Sequence, residues 1–213
     1  MAPASGARAR ALVILLHGYA SKGDDLIQLA SIWKTGAPGA AFLAPNGPEP
    51  AREPPGTFQW WSAARGTVNR AERLRIARPI IDEFIDAQLQ THGLSESQLV
   101  LVGFSQGTTA ALHVALGRER AIAGVIGFSG MLSDPDSLGA HIRSKPPVLL
   151  VHGAADTVVP PSRLEEARTA LAPLGFDLTT HLSPGLGHSI DIGGTRAATK
   201  FLARVLPAAA AGG

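Results

Sequence analysis

Five short segments of this chain are apolar at almost every position: Ala11–Leu16, Ala40–Ala44, Leu99–Val102, Ile122–Phe128 and Val148–Val151. A strand with one solvated face alternates apolar and polar side chains, so unbroken runs of this length predict strands covered on both faces and hence a mainly parallel sheet. A sixth segment, Leu178–Leu182, does alternate. The stretches between the runs repeat at helical spacing. Leu26, Leu29, Ala30 and Trp33 share one face of Asp24–Trp33, and Leu74, Ile81, Phe84, Ile85 and Leu89 share one face of Asn69–Thr91. The longer segment carries Asn69 and Glu72 as a cap pair, Gly93 as a stop, and Pro79 as an expected kink or break. Further helices are predicted over Gln106–Arg118, over Leu164–Leu171 behind the capping-box spacing of Ser162 and Glu165, and over Thr195–Leu206. Strands alternating with helices predict a doubly wound or related α/β sheet with helices on both faces. The connection Pro45–Thr57 is long, proline-rich and expected to be irregular, either bordering a pocket or simply tolerated at the surface.

Length and composition reduce this to one unit. With 213 residues, 45% of them hydrophobic, the chain is expected to fold as a single domain over 1–213, with flexible ends at 1–10 and 207–213. The absence of cysteine removes disulfides, thiolate zinc sites and a cysteine nucleophile together. The apolar run that follows Arg8 and Arg10 ends at Leu16, too short for a signal-peptide core or a bilayer span. A soluble cytoplasmic protein without stable membrane insertion is the expectation. A net charge of +2 does not point to nucleic acid, because the densest basic group, Arg65, Arg70, Arg73, Arg75 and Arg78, has no interleaved aromatic residues. It reads as a solvated helix face, with weak attraction of anionic substrates or membrane surfaces as the alternative.

The chemistry starts at Gly103-Phe104-Ser105-Gln106-Gly107, where a serine stands between two glycines after an apolar run and before a helical stretch. In this setting the pattern is a nucleophile elbow: the turn is tight enough that only glycine fits easily two residues either side of the serine. The hydroxyl is then presented at a helix N-terminus, where the dipole and free N–H groups favour developing negative charge. A serine hydroxyl needs a base and the base needs an orienting carboxylate. Of the seven histidines, His188 lies in a glycine-rich loop after the last predicted strand, where loops at strand carboxyl ends converge. His17 is the second choice; His92, His113, His141, His152 and His181 have plainer readings as helix, turn or strand residues. Asp156, in the loop after the fifth run, leads for the carboxylate, with Asp134 and Asp136 behind it. The order Ser105, Asp156, His188 is the one expected of an α/β-hydrolase. The oxyanion of an acyl-transfer reaction needs two donors, expected from the backbone N–H groups of Gln106 and Tyr19.

At these residues the chain resembles a known family. Leu15-Leu-His-Gly-Tyr19, Asp24-Asp-Leu26, Phe42-Leu-Ala-Pro-Asn46, Gln59-Trp-Trp61, the elbow, Phe128-Ser-Gly130, His152-Gly-Ala-Ala-Asp156 with Val159-Pro160, and Gly187-His188 follow the succession of the phospholipase/carboxylesterase family. These are small α/β-hydrolases that include acyl-protein thioesterases and bacterial carboxylesterases, and the similarity runs from about Ala11 to Leu206. The resemblance implies an α/β-hydrolase fold without a large lid, and a serine hydrolase that uses neither cofactor nor metal and cleaves a small-molecule carboxylic ester or thioester. It implies Ser105, Asp156 and His188 as triad and the N–H of Tyr19 in the oxyanion hole. Trp60 and Trp61 match the family's aromatic pair near the substrate cleft, or else are core; His17 and Met131 join them as substrate-side candidates. Two departures stand out: Ala20, Ser21 and Lys22 precede Gly23 where a second glycine is usual soon after His-Gly, and Thr108 stands where a further glycine is frequent. The alternatives within the fold are a non-catalytic ligand-binding protein, or lysophospholipase or acyl-protein thioesterase as the specific activity. A monomer and a homodimer are equally compatible with the sequence.

Overall fold

Every apolar run becomes a strand of one parallel sheet in the computed structural model, which describes residues 1–3, 6, 8–62, 70–135 and 138–207, the side chains of 70 and 71 excepted. The strands are β1 (Ala11–Leu16), β2 (Ala40–Leu43), β5 (Leu99–Phe104), β6 (Gly124–Phe128), β7 (Val148–Gly153) and β8 (Leu178–Ser183), in the spatial order β2-β1-β5-β6-β7-β8. The remaining elements are α1 (Gly23–Ile27), α2 (Ala30–Trp33), the short strands β3 (Glu49–Pro50) and β4 (Phe58–Gln59), and the helices α3 (Arg70–His92), α4 (Gln106–Gly117), α5 (Leu138–His141), α6 (Ser162–Leu171) and α7 (Ile192–Val205). Successive strand residues point to opposite faces. Leu12, Ile14 and Leu16 of β1 therefore join α3, α4 and α6 in one core, while Ala11, Val13 and Leu15 join α1, α2 and α7 in the other. In β8, an edge strand, most positions are partly or fully exposed and Ser183 is buried.

Local signals were followed in type more than in detail. Pro79 does not divide its helix: Leu74, Ala77, Ile81, Ile85 and Leu89 lie in one buried stripe, and that packing keeps the helix continuous past a proline on its exposed side. Asp24–Trp33 is split into α1 and α2 instead of one helix. Ser162 does not cap α6, whose N-cap is Pro161; α7 begins three residues before Thr195 because the Asp191 carboxylate accepts the Gly194 N–H at 2.7 Å. The segment expected to be irregular, Pro45–Thr57, carries β3, which folds back on β4 as an antiparallel pair, with Ala51 N–H bonded to Thr57 C=O at 2.9 Å. The described part of the first ten residues makes contacts with β2 and the core. The Met1 amino group donates to Phe42 C=O at 2.6 Å, the Phe42 N–H donates to Met1 C=O at 2.9 Å, and Ala9 is buried. Asn69, Arg65, Asp136 and the tail from 208 lie outside the described residues.

The register aligns the carboxyl ends of the strands that matter. Leu16 of β1 lies opposite Gly103 of β5, Phe104 of β5 opposite Phe128 of β6, and Gly153 of β7 opposite Ser183 of β8. The loops that leave β1, β5, β7 and β8 consequently emerge along one edge. Two close approaches make the glycines of the elbow obligatory. A Cβ on Gly107 would stand 1.9 Å from Leu16 C=O oxygen, and one on Gly103 would stand 2.4 Å from the backbone of Thr108. Gly107→Ala is therefore expected to lose about 3 kcal/mol or more of stability, read as a lowered midpoint in urea unfolding or as failure to yield folded protein.

Candidate active site

Ser105 sits between β5 and α4 at φ 53° and ψ −114°, a left-handed conformation that a non-glycine residue adopts only when its surroundings hold it. They do: its N–H donates to Phe128 C=O at 2.9 Å, and the two glycine contacts clamp the chain on either side. Thr108, where a glycine is frequent in the family, is buried, donates its hydroxyl to the same Phe128 oxygen at 2.8 Å, and points its methyl group at Gly127 and Gly130. Those two glycines leave the room that a glycine at 108 would have left, so the departure is helix packing.

His188 and Asp156 arrive from separate loops. The two loops interlock at Gly153, where a Cβ would stand 2.3 Å from the carbonyl oxygens of Leu186 and Gly187, and the Ala155 N–H bonds Leu186 C=O at 2.8 Å. His188 donates Nδ1–H to Asp156 Oδ2 at 2.8 Å, which leaves its Nε2 as the proton acceptor. Its ring lies 5.0 Å from that of Phe104, the residue before the serine, so the imidazole stands beside the elbow. The Asp156 side chain is fully buried. Burial by itself would raise its pKa, but the hydrogen bond from His188 and the N–H groups of Val159 and Val158, both on Oδ1 at 2.9 Å, outweigh it and hold the carboxyl below its ordinary range. A second histidine, buried His152, donates Nε2–H to Val159 C=O at 2.9 Å and lies 3.5 Å from Asp156 Oδ2. Sequence spacing could show His152 near the site but not that it touches the same carboxylate as His188. Asp134 is not the carboxylate on His188.

On the other side, the loop after β1 runs next to the serine: a Cβ on Gly18 would stand 3.4 Å from Ser105 Cβ. This loop is held by contacts that no local motif announces. His17 is wholly buried; its Nδ1 donates to Gly18 C=O at 2.7 Å and its Nε2 accepts the Gly47 N–H at 2.9 Å. Burial lowers its pKa against the opposing effect of the Gly18 carbonyl. Trp60, also buried, donates Nε1–H to His17 C=O at 2.8 Å. The Gln106 side chain accepts the Trp60 N–H and donates to Trp61 C=O, both at 2.9 Å. The polar atoms of His17 and Trp60, both substrate-side candidates, are thus used inside the protein, where they position the loop. Trp61 is buried as well, and Met131 borders a cavity of about 10 Å³ beneath the elbow, with Thr108, Gly130 and His152. The departure at Ala20–Gly23 is accommodated by a left-handed Ala20 (φ 55°), by the Phe58 N–H on Ser21 C=O at 2.8 Å, and by the Gly23 N–H on the Asn46 side chain at 2.8 Å. Tyr19 remains half exposed, and Gln106 is the first residue of α4, whose N–H has no intrahelical carbonyl to bond.

A doubly wound parallel sheet with a strained serine elbow and a histidine–carboxylate pair at its carboxyl edge is the arrangement of a hydrolase, and the comparisons say of which kind. The model of the phospholipase/carboxylesterase family matches residues 3–206, and the chain belongs to that family. It has the α/β-hydrolase fold and is a hydrolase acting on esters. It is similar to the crystal structure of esterase PE8, 39% identical with a TM-score of 0.90 over 97% of both chains. Among curated relatives, esterase YpfH of Escherichia coli is 29% identical over 86% of this chain and 78% of its own length. Acyl-protein thioesterase 1 of Emericella nidulans is 27% identical over 93% and 91% respectively. Among the described residues no helix is long and apolar enough to cross a membrane, and no cap domain stands over the sheet edge.

Proposed function

We propose that the chain hydrolyses carboxylic esters through an acyl-enzyme on Ser105, with His188 as base and Asp156 as its orienting carboxylate. The observation that carries this is the 2.8 Å hydrogen bond from His188 Nδ1 to a buried, ionised Asp156, with the imidazole beside a strained serine elbow. As Ser105 Oγ bonds to the acyl carbon, its proton passes to His188 Nε2 and the carbonyl electron pair moves onto oxygen. The N–H groups of Gln106 and Tyr19 hold that oxyanion. The oxyanion collapses, the bond to the alcohol oxygen breaks, and His188 protonates the leaving alkoxide. Water then attacks the acyl-enzyme with its proton passing to His188, and the carboxylic acid leaves as Ser105 recovers its hydrogen.

The reading is tested by labelling folded protein with a fluorophosphonate and assaying p-nitrophenyl esters of increasing acyl length beside an acyl thioester. An adduct on Ser105 and turnover of the oxyesters are expected. Absence of the adduct, with a ligand retained unchanged, would instead mark a binding protein. The thioester arm is included because of the similarity to an acyl-protein thioesterase; cleavage of thioesters alone would overturn the oxyester assignment.

A further inference from the structure

The basic residues of α3 are not a uniformly solvated face. Arg75 and Arg78, with Pro79 and Asp82, form one wall of a groove of about 560 Å³ whose other walls are His113 of α4 and His141 of α5. His113 lies eight residues beyond Ser105 on the same helix, about 12 Å along its axis, so this groove is on the flank of the molecule and apart from the elbow. The two imidazoles stack with ring centres 4.0 Å apart and planes 10° from parallel. His141 donates Nε2–H to His113 C=O at 2.7 Å, and Ser133 Oγ lies 3.4 Å from His113 Nδ1. Gly117 makes the assembly possible, since a Cβ there would come 2.5 Å from Arg78 and 2.7 Å from His141.

The charges facing this stack are unbalanced. Among the described residues Asp82 is the one carboxylate lining the groove, and it accepts Arg78 Nε at 3.0 Å and Arg118 at 2.7 Å. Arg78 gives one further N–H to Gly117 C=O at 2.6 Å. Arg75 is exposed, and no carboxylate is paired with it among the described residues. Burial, then His141, Arg78 and Arg75, push the His113 pKa down to about 3, so the groove resists any further positive charge. The guanidinium groups of Arg75 and Arg78 line this space beside the stacked imidazoles, with the Nε2–H of His141 already given to His113 C=O. A planar carboxylate would satisfy one guanidinium fork, whereas a tetrahedral dianion can accept from several directions.

We propose that this groove binds a small phosphate-bearing anion, inorganic phosphate or a phosphate monoester, held by Arg75 and Arg78 beside the stacked His113 and His141. The test is histidine-ring NMR of the folded protein titrated with inorganic phosphate and, separately, with glycerol 3-phosphate, against chloride at matched ionic strength. Saturable shifts confined to His113 and His141 are expected. Arg75→Gln should weaken binding about tenfold, the effect of losing one charge-assisted contact, while leaving ester hydrolysis unchanged as a check on folding. Tighter binding of glycerol 3-phosphate would identify the ligand as an organic phosphate, and equal binding would identify phosphate itself. Shifts that chloride reproduces, that do not saturate, or that survive Arg75→Gln unaltered would overturn the site.

Discussion

Ser105→Ala is expected to reduce kcat for ester hydrolysis by several orders of magnitude, about 10⁶-fold where such a nucleophile has been removed in the best-studied serine hydrolase. The structure makes this a clean experiment. The Ser105 hydroxyl makes no capping hydrogen bond to α4, and the residue's fixing contact is its backbone N–H on Phe128, which alanine retains. The left-handed backbone at 105 is strained for serine and alanine alike, so stability should hardly change while turnover disappears. Combining the change with His188→Ala should cost little more than either alone, because nucleophile and base act in one step. A variant that keeps most of its activity in a preparation free of contaminating esterase would remove Ser105 from the mechanism.

Asp156→Asn should lower kcat by about 10⁴-fold, the size of effect seen when the wrong histidine tautomer is imposed. Oδ1 of Asp156 accepts two backbone N–H groups, so an asparagine keeps its oxygen there and turns its NH₂ towards His188 and His152. His188 Nδ1 would then face a donor and become the acceptor, which puts the ring proton on Nε2, where the proton of Ser105 must go. The same substitution has a stability signature. Folding depresses the Asp156 pKa below its unfolded value of about 3.9. The unfolded chain therefore binds the proton more readily, and the contribution of Asp156 is complete above about pH 4 and is lost as pH falls through its folded value. Urea midpoints measured from neutral pH into this acid window should fall less steeply for Asp156→Asn than for wild type. Parallel curves would mean that the His188 and backbone contacts do not stabilise the ionised carboxylate.

The oxyanion side depends on a chain of contacts more than on any one residue. Gln106 contributes its N–H to the proposed hole while its side chain fixes the backbone of Trp60 and Trp61; Trp60 fixes His17, and His17 fixes Gly47. A residue beside the nucleophile thus orients the opposite wall of the same hole. The strand pair β3 and β4, built from the proline-rich connection, supplies the other half of the framework.

Much of this was open to reading in the chain itself. Unbroken apolar runs can be buried on both faces only in a covered parallel sheet, and so they determined five of the strands, the helices between them and the edge along which the loops emerge, with the alternating Leu178–Leu182 supplying the sixth. Gly103 and Gly107 determined the elbow because no other side chain fits two residues from that serine, and the order of Ser105, Asp156 and His188 along three loops followed from the same topology. What depended on contacts between residues distant in sequence could not be read. That His17 bonds Gly47 and Trp60 bonds Gln106 shows only in the fold, and His152 looks like a turn residue until Asp156 folds back to it. The groove at His113 joins three helices separated by many residues, and its unbalanced charge exists only once Arg118 has claimed Asp82. Hydrophobic periodicity records which side of an element is buried, but hydrogen-bond partners and local fields are set by where the tertiary fold brings those sides together.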